Sequence, residues 1–108
     1  MPFDADLADR LRLVMKRRAG ISEKKMFGGI CWMLRGNMLC GVEVGRYMFR
    51  HGPALEAEAL SRRGARPMDI TGRPMRGFVW VDARAAPEAE LRRWVDLAMR
   101  FVGKLPPK

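Results

Sequence analysis

Histidine occurs once in this 108-residue chain, at His51, and cysteine twice, at Cys31 and Cys40. A single histidine assembles neither a His-based nucleophile relay nor a histidine metal cluster. The two cysteines lack a CxxC spacing. No run approaches the roughly 20 apolar residues that span a bilayer. The opening Met1-Pro2-Phe3-Asp4-Ala5-Asp6 is acidic where a secretory leader is basic and then apolar. These absences predict a cytoplasmic protein with reduced thiols, no membrane contact and no cofactor. Neither GxxxxGK(S/T) nor GxGxxG occurs, so Gly28-Gly29 reads as a close approach under a packed helix rather than a phosphate cradle.

What is abundant is positive charge. The formal net charge is +9, with 21 Lys and Arg against 12 Asp and Glu. Such a surplus favours anionic partners in general, nucleic acid included. The cations are spread along the chain, however, and the longest block is Lys16-Arg17-Arg18. A solvated basic surface is the first reading of that pattern, and direct nucleic-acid binding through the arginines the second.

The chain is organised around Lys24 to Val42, which reads as two strands joined at Arg35-Gly36, where glycine supplies the positive φ of a tight hairpin turn. Counting outward pairs Leu34 with Asn37, Met33 with Met38, Trp32 with Leu39 and Cys31 with Cys40. A second turn at Val44-Gly45 adds Tyr47-Met48-Phe49-Arg50, with Val42 opposite Tyr47 and Cys40 opposite Phe49. Side chains alternate along a strand. One face therefore collects Gly29, Cys31, Met33, Met38, Cys40, Val42, Tyr47 and Phe49, and His51 follows on it; buried thiols suit that face better than a metal site. The other collects Ile30, Trp32, Leu39 and Met48, rimmed by Glu43, Arg46 and Arg50.

Phe3, Leu7, Leu11, Val14 and Met15 recur at helical spacing and predict a helix from about Asp4 to Ala19, with Asp4 as N-cap and Gly20 at its stop. Pro53 opens a short helix over Ala54–Leu60. Ala65–Gly77 holds two prolines and two glycines and reads as irregular, with a brief edge strand at its start. Asp69 and Asp82 bracket its Thr71-to-Gly77 part and are placed to pair with Arg73 and Arg76. Phe78–Val81 is a strand. Pro87 to about Val102 is the last helix, with Leu91, Trp94, Val95, Ala98, Phe101 and Val102 on one stripe, and Lys104–Lys108 is a tail. The order helix, three strands, helix, one or two strands, helix predicts an α+β two-layer sandwich over residues 1–108, an antiparallel sheet with helices on one face.

Met26-Phe27-Gly28-Gly29, then a strand, the turn glycine Gly36, a second strand, Gly45 and an aromatic third strand, resembles the N-terminal domain of the TfoX/Sxy family of competence regulators. Arg66 to Val81, with its Asp69-Ile70-Thr71-Gly72-Arg73-Pro74-Met75 run, is similar to a subgroup of that family occurring as small stand-alone proteins. The resemblance covers residues 24 to about 102. It implies helices on an antiparallel sheet and transcriptional co-regulation through protein contacts, which competence regulators make with the cyclic-AMP receptor protein. Those regulators carry a second, C-terminal domain, for which 108 residues leave no room. The resemblance transfers no catalytic or ligand residue.

These readings combine into one expectation, a non-enzymatic, cytoplasmic protein-interaction module in transcription regulation. Its contact residues are Ile30, Trp32, Leu39 and Met48 as an apolar patch, with Arg46, Arg50, Arg73 and Arg76 around it. Soluble monomers rarely leave such a patch bare, so a protein partner, a transcription regulator among the candidates, or a two-fold homodimer is expected to cover it. Cys31 and Cys40, as opposed cross-strand residues, are expected to be free thiols that bridge reluctantly under oxidant.

Overall fold

The computed structural model describes residues 4–16, 18–26, 28–70 and 72–108. Phe3, Arg17, Phe27 and Thr71, which enter the sequence reading, lie outside them. The first helix, α1, runs Ala5–Met15, shorter than its apolar spacing predicts. Four strands follow, β1 Ile21–Met26, β2 Gly29–Leu34, β3 Asn37–Val42 and β4 Arg46–Arg50. A 3-10 turn at Pro53–Leu55 leads into the short α2, Glu56–Leu60, then β5 Ala65–Ile70, β6 Arg73–Asp82 and the closing helix α3, Glu88–Val102. The six strands form one antiparallel sheet in the order β1-β2-β3-β4-β6-β5. Among the described residues no helix is long and apolar enough to cross a membrane.

The turns fall where glycine permits them. Arg35 and Gly36 take φ 50° and 87°, the pair of positive values that a two-residue hairpin loop needs. Ala65–Gly77 is not irregular: most of it is the hairpin of β5 and β6. Pro67 is tolerated because β5 is an edge strand, and a bulge between Pro67 and Asp69 adjusts the register there. Lys24 to Leu34 is not one strand: Ile21–Met26 forms a strand of its own, apart from β2, although four of its six residues are exposed, as suits the opposite edge.

α1 and α3 cover one face. Leu7, Leu11, Val14 and Met15 from α1 and Leu91, Trp94, Val95 and Val102 from α3 are buried there with strand residues. Phe49 stacks on Trp94 with ring centroids 5.5 Å apart and planes 14° from parallel. Asp4 stands at the N-cap position of α1 without capping it. Its Oδ2 instead accepts a 2.8 Å hydrogen bond from the Gly45 N–H, tying the helix to the β3–β4 turn. The tail is docked as well, because Lys108 N–H donates to Arg35 O at 2.9 Å and Asn37 Nδ2 to Pro106 O at 2.9 Å.

Which strand residues meet the helices is decided by one irregularity. Leu34 pairs with Asn37 and Met33 with Met38 as counted from the turn, but Trp32 then pairs with Cys40, Cys31 with Gly41 and Ile30 with Val42. Leu39 is the extra residue of a bulge. A one-residue slip sends every later side chain of one strand to the opposite face relative to its partner. Cys40, Val42, Tyr47 and Phe49 therefore stay under the helices as expected, joined there by Ile30, Trp32 and Leu39. Cys31, Met33 and Met38 take the other side.

Candidate functional site

The face of the sheet away from α1 and α3 carries a second apolar cluster. Cys31, Met48, Met68 and Trp80 are buried in it, and Met26, Met33, Met38, Met75 and Phe78 are partly buried against them. Six of the nine methionines thus stand on one surface. Antiparallel sheets ordinarily turn polar side chains to an uncovered face. This one presents unbranched thioethers, which adapt their shape to whatever packs on them.

Register builds the surface. Met48 pairs with Trp80 and Arg50 with Phe78 across β4 and β6, Arg66 pairs with Trp80 across β5 and β6, and Lys24 pairs with Cys31 across β1 and β2. Directly paired residues point to the same side, so the methionines alternate with cations. Arg46 sits over Trp80, its guanidinium carbon 3.6 Å from the ring centroid, while its Nε and Nη2 donate to Glu43 Oε1 at 3.0 and 2.9 Å. The Arg50 guanidinium carbon is 5.5 Å from the centroids of both Phe78 and Phe101. Among the described residues Lys24, Arg50 and Arg66 enter no ion pair.

Of the predicted contact residues, Met48, Arg46 and Arg50 share this face. Ile30, Trp32 and Leu39 do not: Trp32 is 1% exposed and all three lie beneath the helices, because the bulge reverses β2. Three of the four residues of the predicted apolar patch therefore belong to the helix-covered core, and Met48 alone keeps its place on the open face. Arg73 and Arg76 are on β6, Arg73 opposite Ile70 where the β5–β6 hairpin turns. Arg76 reaches Glu56 at 3.7 Å rather than Asp69 or Asp82, and Asp82 accepts from the Arg84 N–H at 2.9 Å. Met26, Met68, Met75 and Trp80 were missed as surface residues. No spacing in the sequence flagged them, since no two methionines of the chain stand two residues apart.

The bulge also separates the cysteines. Cys31 is on the open face and Cys40 under the helices, so they are not opposed, and Cys31 shares no face with the buried His51. The His51 ring meets Gly52 O at 2.7 Å through Nδ1. Burial, helped by the Glu43 carboxylate, pushes the Cys31 thiol above its ordinary value; burial raises Cys40 much further. A raised thiol means that the unfolded chain loses its proton first as pH rises. Stability contributed by these thiols is complete at neutral pH and declines once pH passes the ordinary thiol value. Iodoacetamide should accordingly modify Cys31 more slowly at pH 8 than an unstructured peptide thiol, gain rate above pH 9, and reach Cys40 only on unfolding; peptide mass mapping reads all three. Equal modification of both cysteines in the folded protein would contradict the assignment of faces.

Comparison with family models matches residues 14–102 to the TfoX N-terminal domain. No curated protein and no solved structure matches the chain.

Proposed function

The chain belongs to the TfoX N-terminal domain family, and from that membership we propose that it is a non-enzymatic, cytoplasmic protein-interaction module in transcription regulation that binds its partner on the open face of the sheet. One observation carries this reading: six methionines and two aromatic rings stand on a face that neither α1 nor α3 covers. Adaptable thioethers supply contact area, and Lys24, Arg50 and Arg66 around them favour a partner with acidic flanks.

Capture from cell lysate at about 0.1 and about 0.5 M salt, with and without nuclease, tests it. A partner held mainly by apolar contact stays bound at the higher salt and after nuclease, whereas phosphate contacts weaken steeply with ionic strength. The second reading, direct binding of nucleic acid, draws on Arg46 and Arg50 lying over Trp80 and Phe78 on an open sheet, and predicts loss under both treatments. A second copy of the chain is a third occupant of the same face, and sedimentation reads it.

Arg73 and Arg76 extend the basic rim at the β5–β6 hairpin. Arg76 is 74% exposed and its 3.7 Å pair with Glu56 is loose, so little stability rests on it. The double replacement Arg73→Ala with Arg76→Ala should leave the melting temperature within a few degrees and weaken capture. Equal loss of stability and binding would mark the two arginines as structural.

A further inference from the structure

The open face is not flat. Met26, from the β1 edge of the sheet, and Met68 and Met75, from the β5–β6 hairpin at the other edge, line one cavity of about 340 Å³. The sheet is therefore curled, with its two edges facing each other across Cys31, Met38 and Met48. Cys31 and Met48 are each only 5% exposed although no helix covers them. Well-packed interiors leave few voids larger than a water molecule, so a cavity of this size between the hairpins is space for a guest.

Size, lining and charge narrow the guest. An apolar cavity of about 150 Å³ takes one benzene ring, which makes about 340 Å³ room for two fused rings. Five thioethers and a thiol surround that space, and sulfur contacts the edges of aromatic rings favourably. The charged groups of the lining are Glu43, Arg46 and Asp69. Glu43 and Arg46 satisfy each other, and Arg46 is seated on Trp80. Asp69 is exposed and has no ion pair among the described residues, so the one lining charge without a partner is negative, while Lys24, Arg50 and Arg66 stand on the same face outside the lining. We propose that this cavity is a binding site for a small two-ring aromatic molecule, uncharged or carrying one hydrogen-bond donor toward Asp69, of the size and polarity of indole. The cavity opens on the same face as the proposed protein contact and shares its residues, but capture of a partner and binding of a free aromatic are read by different measurements, so either can fail alone.

The full chain labelled with ¹³C at the methionine methyls, titrated with indole, tests it. Ring-current shifts are expected at Met26, Met38, Met48, Met68 and Met75, saturating below about 1 mM as ligand efficiency allows for so small a molecule. Met15 and Met99, which pack in the helix layer, supply the internal control and should not move. Met75→Trp fills the space from a half-buried position, and should weaken binding at least tenfold while the Met15 and Met99 signals keep their places. Indole-3-acetate, which adds a carboxylate, should bind more weakly than indole. The site is refuted by the absence of methyl shifts up to the solubility limit, by equal shifts at Met15 and Met99, or by undiminished binding to folded Met75→Trp. Tighter binding of indole-3-acetate would overturn the charge argument and with it the assigned ligand class.

Discussion

Replacing Trp32 by glutamate is expected to abolish cooperative folding. The indole is 1% exposed beneath the helices, so the change leaves a cavity and buries a carboxylate. Truncating a buried Trp costs about 3 to 5 kcal/mol, and an unpaired buried charge adds several more. Their sum reaches the whole stability of an ordinary domain, about 5 to 15 kcal/mol. Circular dichroism should show no thermal transition, and sedimentation an expanded or aggregated chain. Trp32→Phe, which keeps an apolar ring, should fold and melt lower. A folded, monomeric Trp32→Glu would restore Trp32 to the surface and overturn the register of β2.

The second large effect is expected at Gly52. Its φ of +83° with ψ 155° lies in a region that only glycine enters cheaply, and an added Cβ would collide with the Phe101 ring on α3. His51 and Gly52 both donate their N–H to Gly77 O, at 2.9 and 3.0 Å, so the backbone there has nowhere to retreat. Gly52→Ala should cost about 1 to 3 kcal/mol in backbone strain and about as much again in overpacking. A fall in melting temperature of at least about 10 °C follows from the usual 4 to 8 °C per kcal/mol. Gly72→Ala separates the two contributions, because Gly72 has φ +78° but nothing within 4 Å of an added Cβ. It should lose about 1 kcal/mol from strain alone. Equal losses at the two positions would mean that the Phe101 contact is not tight.

Much of this architecture was legible because its signals are local. Glycines marked the turns at Arg35-Gly36 and Val44-Gly45, and the stripe from Leu91 to Val102 marked α3. Pairings counted from the second turn hold, Val42 with Tyr47 and Cys40 with Phe49. The bulge at Leu39 was invisible for a physical reason. Leu39 and Cys40 are both apolar and both buried under the helices, so Met38-Leu39-Cys40-Gly41-Val42 reads equally well in either phase. That one residue moved Ile30 and Trp32 from the expected contact face into the core, and Cys31 and Met33 the other way. β1 was not told apart from β2 because an exposed edge strand carrying Ser22, Glu23, Lys24 and Lys25 buries too little to show an alternation of its own. The β5–β6 hairpin was hidden by Pro67, Gly72, Pro74 and Gly77, which read as breakers unless the strand is known to be an edge. Methionine gave no warning, since it serves equally in cores and on contact surfaces.

The claim that the open face binds the partner is tested most directly by changing that face without touching the core. Met33 and Met38 are half-buried, pair across β2 and β3, and lie outside the helix-covered cluster. Met33→Glu with Met38→Lys places opposite charges on directly facing positions, which the strands tolerate. Salt-resistant capture from lysate is measured for this double variant beside its melting curve. The account predicts a folded protein melting within a few degrees of the parent that no longer captures its partner; undiminished capture by the folded variant would contradict it.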